Sequence, residues 1–259
     1  MKDLATGITT CASTDGAGGQ ANNHSADPSI SADGRYVAFR SPASNLVSGD
    51  NNDKYDIFVK DLTTGITTRV STDSAGNEGN GDSGAPMYYE HAGPSISADG
   101  HFVAFASEAD NLVGGDTNGS WDVFVKDLTT GLTTLASSNS AGDPGDRGSY
   151  GPSISADGRF VAFESGSGNF YTGLHFGSGY NVFVKDLLTH DITLASTDSD
   201  GNDLAAYNLV AGGARISADG RCVAFYILVP GLYVYPEEPF SDIFVKDLTT
   251  GIYYPGQHR

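Results

Sequence analysis

The residues best suited to chemistry lie in two matched loops, Asp50-x-Asn52-x-x-x-Asp56 and Asp116-x-Asn118-x-x-x-Asp122. Oxygen-bearing side chains at alternate positions, in a loop flanked by glycine and closed by a further carboxylate, suit a hard cation. Ca2+ is the natural choice, since it takes about six to eight oxygens in irregular geometry. The metal expectation is therefore Ca2+ on Asp50, Asn52 and Asp56 and on Asp116, Asn118 and Asp122, with Asp53 able to add a carboxylate to the first loop. Turn chemistry is the alternative for the same residues, their side chains bonding backbone groups at the entry to a strand. The corresponding positions further on are His175, Gly177 and Asn181, then Pro236, Glu238 and Asp242. Asp242 stays where the other ligands are gone, which favours a structural role for that closing position.

Aromatic side chains crowd the neighbouring variable stretches: Tyr88 and Tyr89 with His91, Trp121, Tyr150, Tyr171 with His175, Tyr180 and Tyr233. Such rings can stack on a sugar or grip a peptide while nearby polar groups fix its orientation. Their other use is to pack as small satellite cores beneath long loops. Catalysis has thinner support. The chain holds no G-x-S-x-G and no H-E-x-x-H; its loop acids Glu90, Glu108, Glu164, Glu237 and Glu238 could supply a general acid/base pair, but the sequence does not set the separation of any two.

What must position these loops is a repeat. Ser29-Ile30-Ser31-Ala32-Asp33-Gly34-Arg35-Tyr36-Val37-Ala38-Phe39 returns at Ser95 to Phe105, Ser153 to Phe163 and Arg215 to Phe225. A second block follows each copy, at Tyr55 to Leu62, Trp121 to Leu128, Tyr180 to Leu187 and Ser241 to Leu248. The β-branched and aromatic residues of both blocks favour strands. Ser-Ala-Asp-Gly and Thr-Thr-Gly are tight turns, Asp bonding its own backbone and Gly free to take positive φ. Each repeat thus carries four strands, a to d, in two hairpins. Lys2 to Ile8 matches Lys246 to Ile252, an offset of 246 − 2 = 244, so four copies give a mean period of 61 residues. Four four-stranded units at this spacing predict an all-β fold, a four-bladed β-propeller of antiparallel blades in a single domain, 1–259. The chain opens on a strand-d sequence, so Gly7 to Ser13 is expected to close the ring beside Ser241 to Leu248; Ile252-Tyr253-Tyr254 competes for that place, but Pro255 and Gly256 make it a poor full-length strand. The expected state is a monomer, or a dimer if the ring does not close.

The motif S-I-S-A-D-G-R-(Y/F)-V-A-F followed by D-(I/V)-F-V-K-D-L-T-T-G resembles the TolB-type, WD-repeat-like propeller repeat of bacterial envelope and secreted proteins. The resemblance covers nearly the whole chain. It implies a propeller that serves as a protein-binding scaffold, as a domain attached to a peptidase or, less often, as a lyase, and so names no single activity.

Charge narrows the partners. Lys plus Arg number 14 against 32 Asp plus Glu, a net charge of −18, which disfavours nucleic acid and anionic membrane surfaces. No apolar run reaches the roughly 20 residues of a membrane helix. Met1-Lys2-Asp3 begins inside a repeat rather than in a leader, and a secreted, periplasmic or cell-envelope setting is expected. Cys11 and Cys222 are too few for a disulfide framework and are expected to be free thiols. In a propeller the two uniform hairpins of each repeat share one face, and the long b–c and d–a connections share the other. The preferred function is a non-catalytic binding module for a glycan or an extracellular protein on that long-loop face. The alternatives are a polysaccharide lyase or hydrolase, and a structural propeller of a larger envelope protein.

Overall fold

A computed structural model describes residues 1–84, 93–171, 179–204, 210–228 and 241–255. Its strands fall into four antiparallel four-stranded sheets, and no helix occurs among the described residues. Blade 1 is β1 (Ala26–Ile30), β2 (Tyr36–Ser41), β3 (Asp56–Asp61) and β4 (Thr67–Arg69). Blade 2 is β5 (Ser95–Ile96), β6 (Phe102–Ser107), β7 (Asp122–Asp127) and β8 (Thr133–Leu135). Blade 3 is β9 (Ser149–Ile154), β10 (Phe160–Ser165), β11 (Asn181–Asp186) and β12 (Ile192–Leu194). Blade 4 is β13 (Val210–Ile216), β14 (Cys222–Leu228), β15 (Ser241–Asp247) and β16 (Tyr253–Pro255). In every blade the spatial order follows the chain, as expected for a propeller.

The register follows from the turns. Ser31 donates to Asp33 and accepts the Tyr36 N–H, and Asp33 accepts the Arg35 N–H, so the a–b hairpin is held by its own local side-chain bonds. The same set recurs around Asp99, Asp157 and Asp219. Each b–c pairing then sets two phenylalanines opposite one another: Phe39 and Phe58, Phe105 and Phe124, Phe163 and Phe183, Phe225 and Phe244. At the hairpin end Arg35, Arg159 and Arg221 bind Asp61, Asp186 and Asp247 at 2.7 Å, tying the a–b turn to the c–d turn. The hydrogen bonds from Arg159 hold the Asp186 carboxyl down to about 2.

The core lies between blades. Ala38, Ile57 and Val59 of blade 1 pack on Val103, Phe105 and Phe124 of blade 2, and equivalent clusters join blades 2 and 3 and blades 3 and 4. A backbone bond also crosses each of these junctions: Ala32 N–H to Ala98 O, Ala98 N–H to Ala156 O, and Ala156 N–H to Ala218 O. The approach is close enough that a Cβ at Gly100 would stand 2.2 Å from the Tyr36 ring, and Gly158 and Gly220 meet Phe102 and Phe160 in the same way.

The closing strand differs from expectation. Gly7 to Ser13 does not lie beside β15; the fourth strand of blade 4 is Tyr253–Pro255, with Tyr253 opposite Lys246. The physical reason is locality. Thr249-Thr250-Gly251 returns the chain onto its own neighbour at small loop-closure cost, whereas the N-terminal segment is separated by nearly the whole chain. That segment instead forms its own hairpin, bridged at Lys2 and Thr9, and then packs on blade 1 through Ala12 and Ala21. Among the described residues no backbone bond of the junction type joins blade 4 to blade 1. Both cysteines are free thiols.

The lysine of each K-D-L block is buried, and its ammonium bonds carbonyls of the chain arriving from the preceding unit. Lys126 donates to Thr72 O at 3.3 Å and Asp73 O at 2.8 Å, and Lys185 to Ser138 O at 3.0 Å and Asn139 O at 2.9 Å. Lys126→Met should lower unfolding stability by about 1–3 kcal/mol, because it strands those carbonyls. Denaturant unfolding of the two proteins checks this.

Candidate functional site: the long-loop face

The b–c and d–a connections leave the end of the sheets opposite the Arg–Asp pairs, and the first residue of the c block sits at the rim they form. Its backbone is fixed there. The carbonyls of Tyr55, Trp121 and Tyr180 accept the N–H of Ser83, Ser149 and Ala211, each at the start of the next blade. Trp121 and Tyr150 meet across blades 2 and 3 with ring centroids 6.2 Å apart, and Tyr180 continues the row 6.0 Å from Tyr150. Trp121 and Tyr150 rest on Ala106. All three rings are half-buried, each keeping an edge in solvent. Tyr171 is 46% exposed and makes no ring contact with the row. Tyr88, Tyr89, His91, His175 and Tyr233 lie outside the described residues.

The rim extends to blade 1 in a way the sequence reading missed. The Tyr55 hydroxyl lies 2.8 Å from His24 Nε2, and the Arg40 guanidinium stands 5.3 Å above the Tyr55 ring. The signal available was positional, since Tyr55, Trp121 and Tyr180 are the same residue of successive repeats. Arg40, Ala106, Glu164 and Tyr226 also share one repeat position, and there the four copies differ in chemistry. Glu164 accepts the Gly213 N–H at 2.6 Å from the next blade, and its burial pushes its carboxyl upward. It serves as a junction group.

Cavities occur elsewhere. One of about 300 Å³ opens where the inner strands converge, lined by Asp27, Ser29, Ser95, Ser153 and Arg215 together with Pro28, Pro94 and Pro152. Another of about 340 Å³ lies on the hairpin side between blades 1 and 2, lined by Tyr36, Val59 and Ile66 among others. Neither lining includes Trp121, Tyr150 or Tyr180.

The two acidic loops are built alike and compensated differently. In blade 1, Asn52 turns its amide nitrogen to Asp56 and its oxygen to the Lys54 N–H, and Ser71 donates to Asp56. A cation is already in place: the Arg69 guanidinium lies 3.3 Å from Asp50, 3.7 Å from Asp56 and 2.7 Å from Glu78. In blade 2, Asn118 and Ser137 bond Asp122 at 2.7 and 2.6 Å, and Asn118 also reaches Gly145 O. Leu135 stands where blade 1 has Arg69. Asp116 and Asp122 are buried there without an arginine, and among the described residues no group of three or more His, Cys, Asp or Glu is placed so as to hold a metal ion.

Burial pushes Asp56 up to about 6 and Asp122 up to about 7, and the ionised Asp116 adds to the latter. Since Asp122 holds its proton more tightly in the folded protein than in the unfolded chain, its contribution to stability is complete in acid and is lost as the pH rises from about 4 to about 7. Asp122→Asn should therefore flatten the stability profile across that window by more than about 1 kcal/mol. Thermal unfolding at pH 5 and pH 8 tests it; parallel profiles would show that Asp122 is ionised throughout.

No protein-family model matches this sequence, and no curated protein matches it. Solved structures do. The chain superposes on TolB from Acinetobacter baumannii with a TM-score of 0.51 at 18% identity, covering 90% of this chain and 43% of that one. For a TolB from Agrobacterium tumefaciens the values are 0.52 and 17%, covering 88% and 63%. For the β-propeller domain of the Trilobed protease from Pyrococcus furiosus, described as having an open velcro topology, they are 0.51 and 16%, covering 92% and 58%. The chain thus spans less than two thirds of each of these proteins. Its fold is that of a TolB-like β-propeller.

Proposed function

We propose that this chain is a non-catalytic binding module of a secreted, periplasmic or cell-envelope protein, taking a glycan or a segment of an extracellular protein on its long-loop face. The observation that carries this reading is the row Trp121, Tyr150 and Tyr180, in which two blades supply half-exposed rings on rigid backbone. Rings held this way offer contact area at little cost in conformational entropy. The acidic surface suits a neutral or cationic ligand better than a polyanion. A hydrolase or lyase is the less favoured reading, because Glu164, which lies on β10 and is buried, is committed to the Gly213 N–H.

Ca2+ belongs to this proposal at one loop more than the other. Asp50 and Asp56 already face Arg69, whereas Asp116 and Asp122 have Leu135 in that place. A bound cation at the second loop would hold the d–a chain against the b–c loop just beneath Trp121, through Asn118 and Gly145.

Trp121→Ala should weaken binding by at least about 1 kcal/mol, the scale of an interface hot spot, while the fold survives the loss of its packing on Ala106 and Tyr150. A glycan array and an extracellular-peptide array read with both proteins provide the measurement, and equal binding would move the site off the aromatic row. Ca2+ in hundredfold excess over its dissociation constant should stabilise the fold by about 2.7 kcal/mol, and Asp116→Ala should remove that shift. Identical melting in Ca2+ and EDTA would return both loops to turn chemistry. Release of unsaturated or reducing ends from any polysaccharide tested would replace the binding module by an enzyme.

A further inference from the structure

Every inner junction buries the trailing face of one blade on the leading face of the next. On the trailing faces, Ile57, Val123 and Val182 are all 0% exposed, as are Ala38, Ala104 and Ala162. Their counterparts in blade 4 are Ile243 and Ala224. Ile243 is 60% exposed, and Cys222, Ala224, Tyr226, Leu228 and Val245 on the same face are only half-buried. Val223, Phe225 and Ile227 point the other way and pack against blade 3. Blade 4 therefore ends in an open apolar sheet face, the kind of surface that marks an association site.

The leading face of blade 1 is covered in part by the N-terminal segment, which buries Phe39 through Ala12 and Ala21, and is open at its inner strand. Ala12, Ala26, Pro28, Val37 and Phe39 line a groove of about 160 Å³, on ground that in blade 2 is filled by Ala38, Ile57 and Val59 of the preceding blade. Ile30 is 50% exposed where Ile96 and Ile154 are each 8% exposed. Gly34 has nothing within 4 Å, although Gly100, Gly158 and Gly220 each seat a ring. Among the described residues, the Ala218 N–H and the Ala32 carbonyl find no backbone partner, and they are the donor and acceptor of the bond that crosses every inner junction.

We propose that these two faces meet between two copies of this chain, head to tail, with blade 4 of one copy on blade 1 of the other. The occupant follows from the repeat, since the faces are the two halves of a junction that the chain already makes three times. Blade 4 against blade 4 would set two N–H donors together and leave both glycine seats empty. The junction is a softened version of the inner ones. Cys222 offers a thiol to Gly34 in place of a ring, and Arg215 stands where Ser29, Ser95 and Ser153 accept an isoleucine N–H. A head-to-tail contact of this kind closes into a ring of two copies if the rotation permits and otherwise continues as a filament.

Sedimentation velocity from micromolar to submillimolar protein tests the proposal, with circular dichroism melts confirming that each variant is folded. The expected result is concentration-dependent association of the parent chain, and a monomer at every concentration for Ile243→Asp and for Ile30→Asp. Both side chains are already largely in solvent, so neither variant threatens the fold. Mixing the two variants should restore a dimer, because one copy retains an intact Ile30 face and the other an intact Ile243 face. A parent chain that is monomeric throughout, or one whose association survives Ile243→Asp, overturns the proposal. Failure of the two variants to associate when mixed overturns the head-to-tail arrangement.

Discussion

The blades are held in place by a buried ammonium at each junction. Lys60, Lys126, Lys185 and Lys246 are between 2% and 7% exposed, and each reaches back to carbonyls of the segment entering its blade. Taking a charge out of water is costly, so such a lysine persists only where several oxygens replace its hydration. Burial lowers the pKa of each of these lysines, the sign expected when desolvation opposes the charge. The energetic gain of each clamp is modest. Its larger effect is geometric, because only one path of the connecting chain brings two consecutive carbonyls to the same nitrogen.

From that constraint comes the division of labour between the two faces. The hairpin face is fixed by repeated parts: Ser–Asp–Gly turns, the Arg–Asp pairs of blades 1, 3 and 4, and the lysine clamp. In blade 2, His101 replaces the arginine, and Asp127 keeps the two amide caps that the other three blades also have, with the Thr130 hydroxyl beside them. The loop face carries the differences. A single repeat position presents Arg40, Ala106, Glu164 or Tyr226, and the adjoining rim presents Tyr55, Trp121 or Tyr180. Variation is tolerated there because the backbone beneath is already pinned by the inter-blade bonds to Ser83, Ser149 and Ala211.

The two acidic loops illustrate how one local pattern is completed by distant residues. Their internal bonds are nearly identical, Asn to Asp and Ser to Asp in both. What differs is the residue delivered by the outer strand, Arg69 in one blade and Leu135 in the next. A guanidinium and a metal ion answer the same need of a buried carboxylate pair for positive charge. The electrostatic character of each loop is therefore set one strand away from the loop itself.

The sequence by itself determined the hairpins and the count of four blades, because each rests on contacts within a few residues or within one repeat. Ser31 and Asp33 build the turn with their own side chains, Gly34 supplies its positive φ, and the strands that leave it are set in register by those bonds. The meeting of Trp121 with Tyr150 was also legible, since neighbouring repeats must become neighbouring blades. Tertiary structure alone decided the rest. That Lys60 holds Thr14 and Asp15, that Arg69 enters the Asp50 loop, and that Tyr253–Pro255 rather than Gly7 to Ser13 borders β15 all depend on which distant segments share a surface. Periodicity carries no term for that choice. It is made by the cost of closing long loops and by which buried charges find oxygens once the blades have packed.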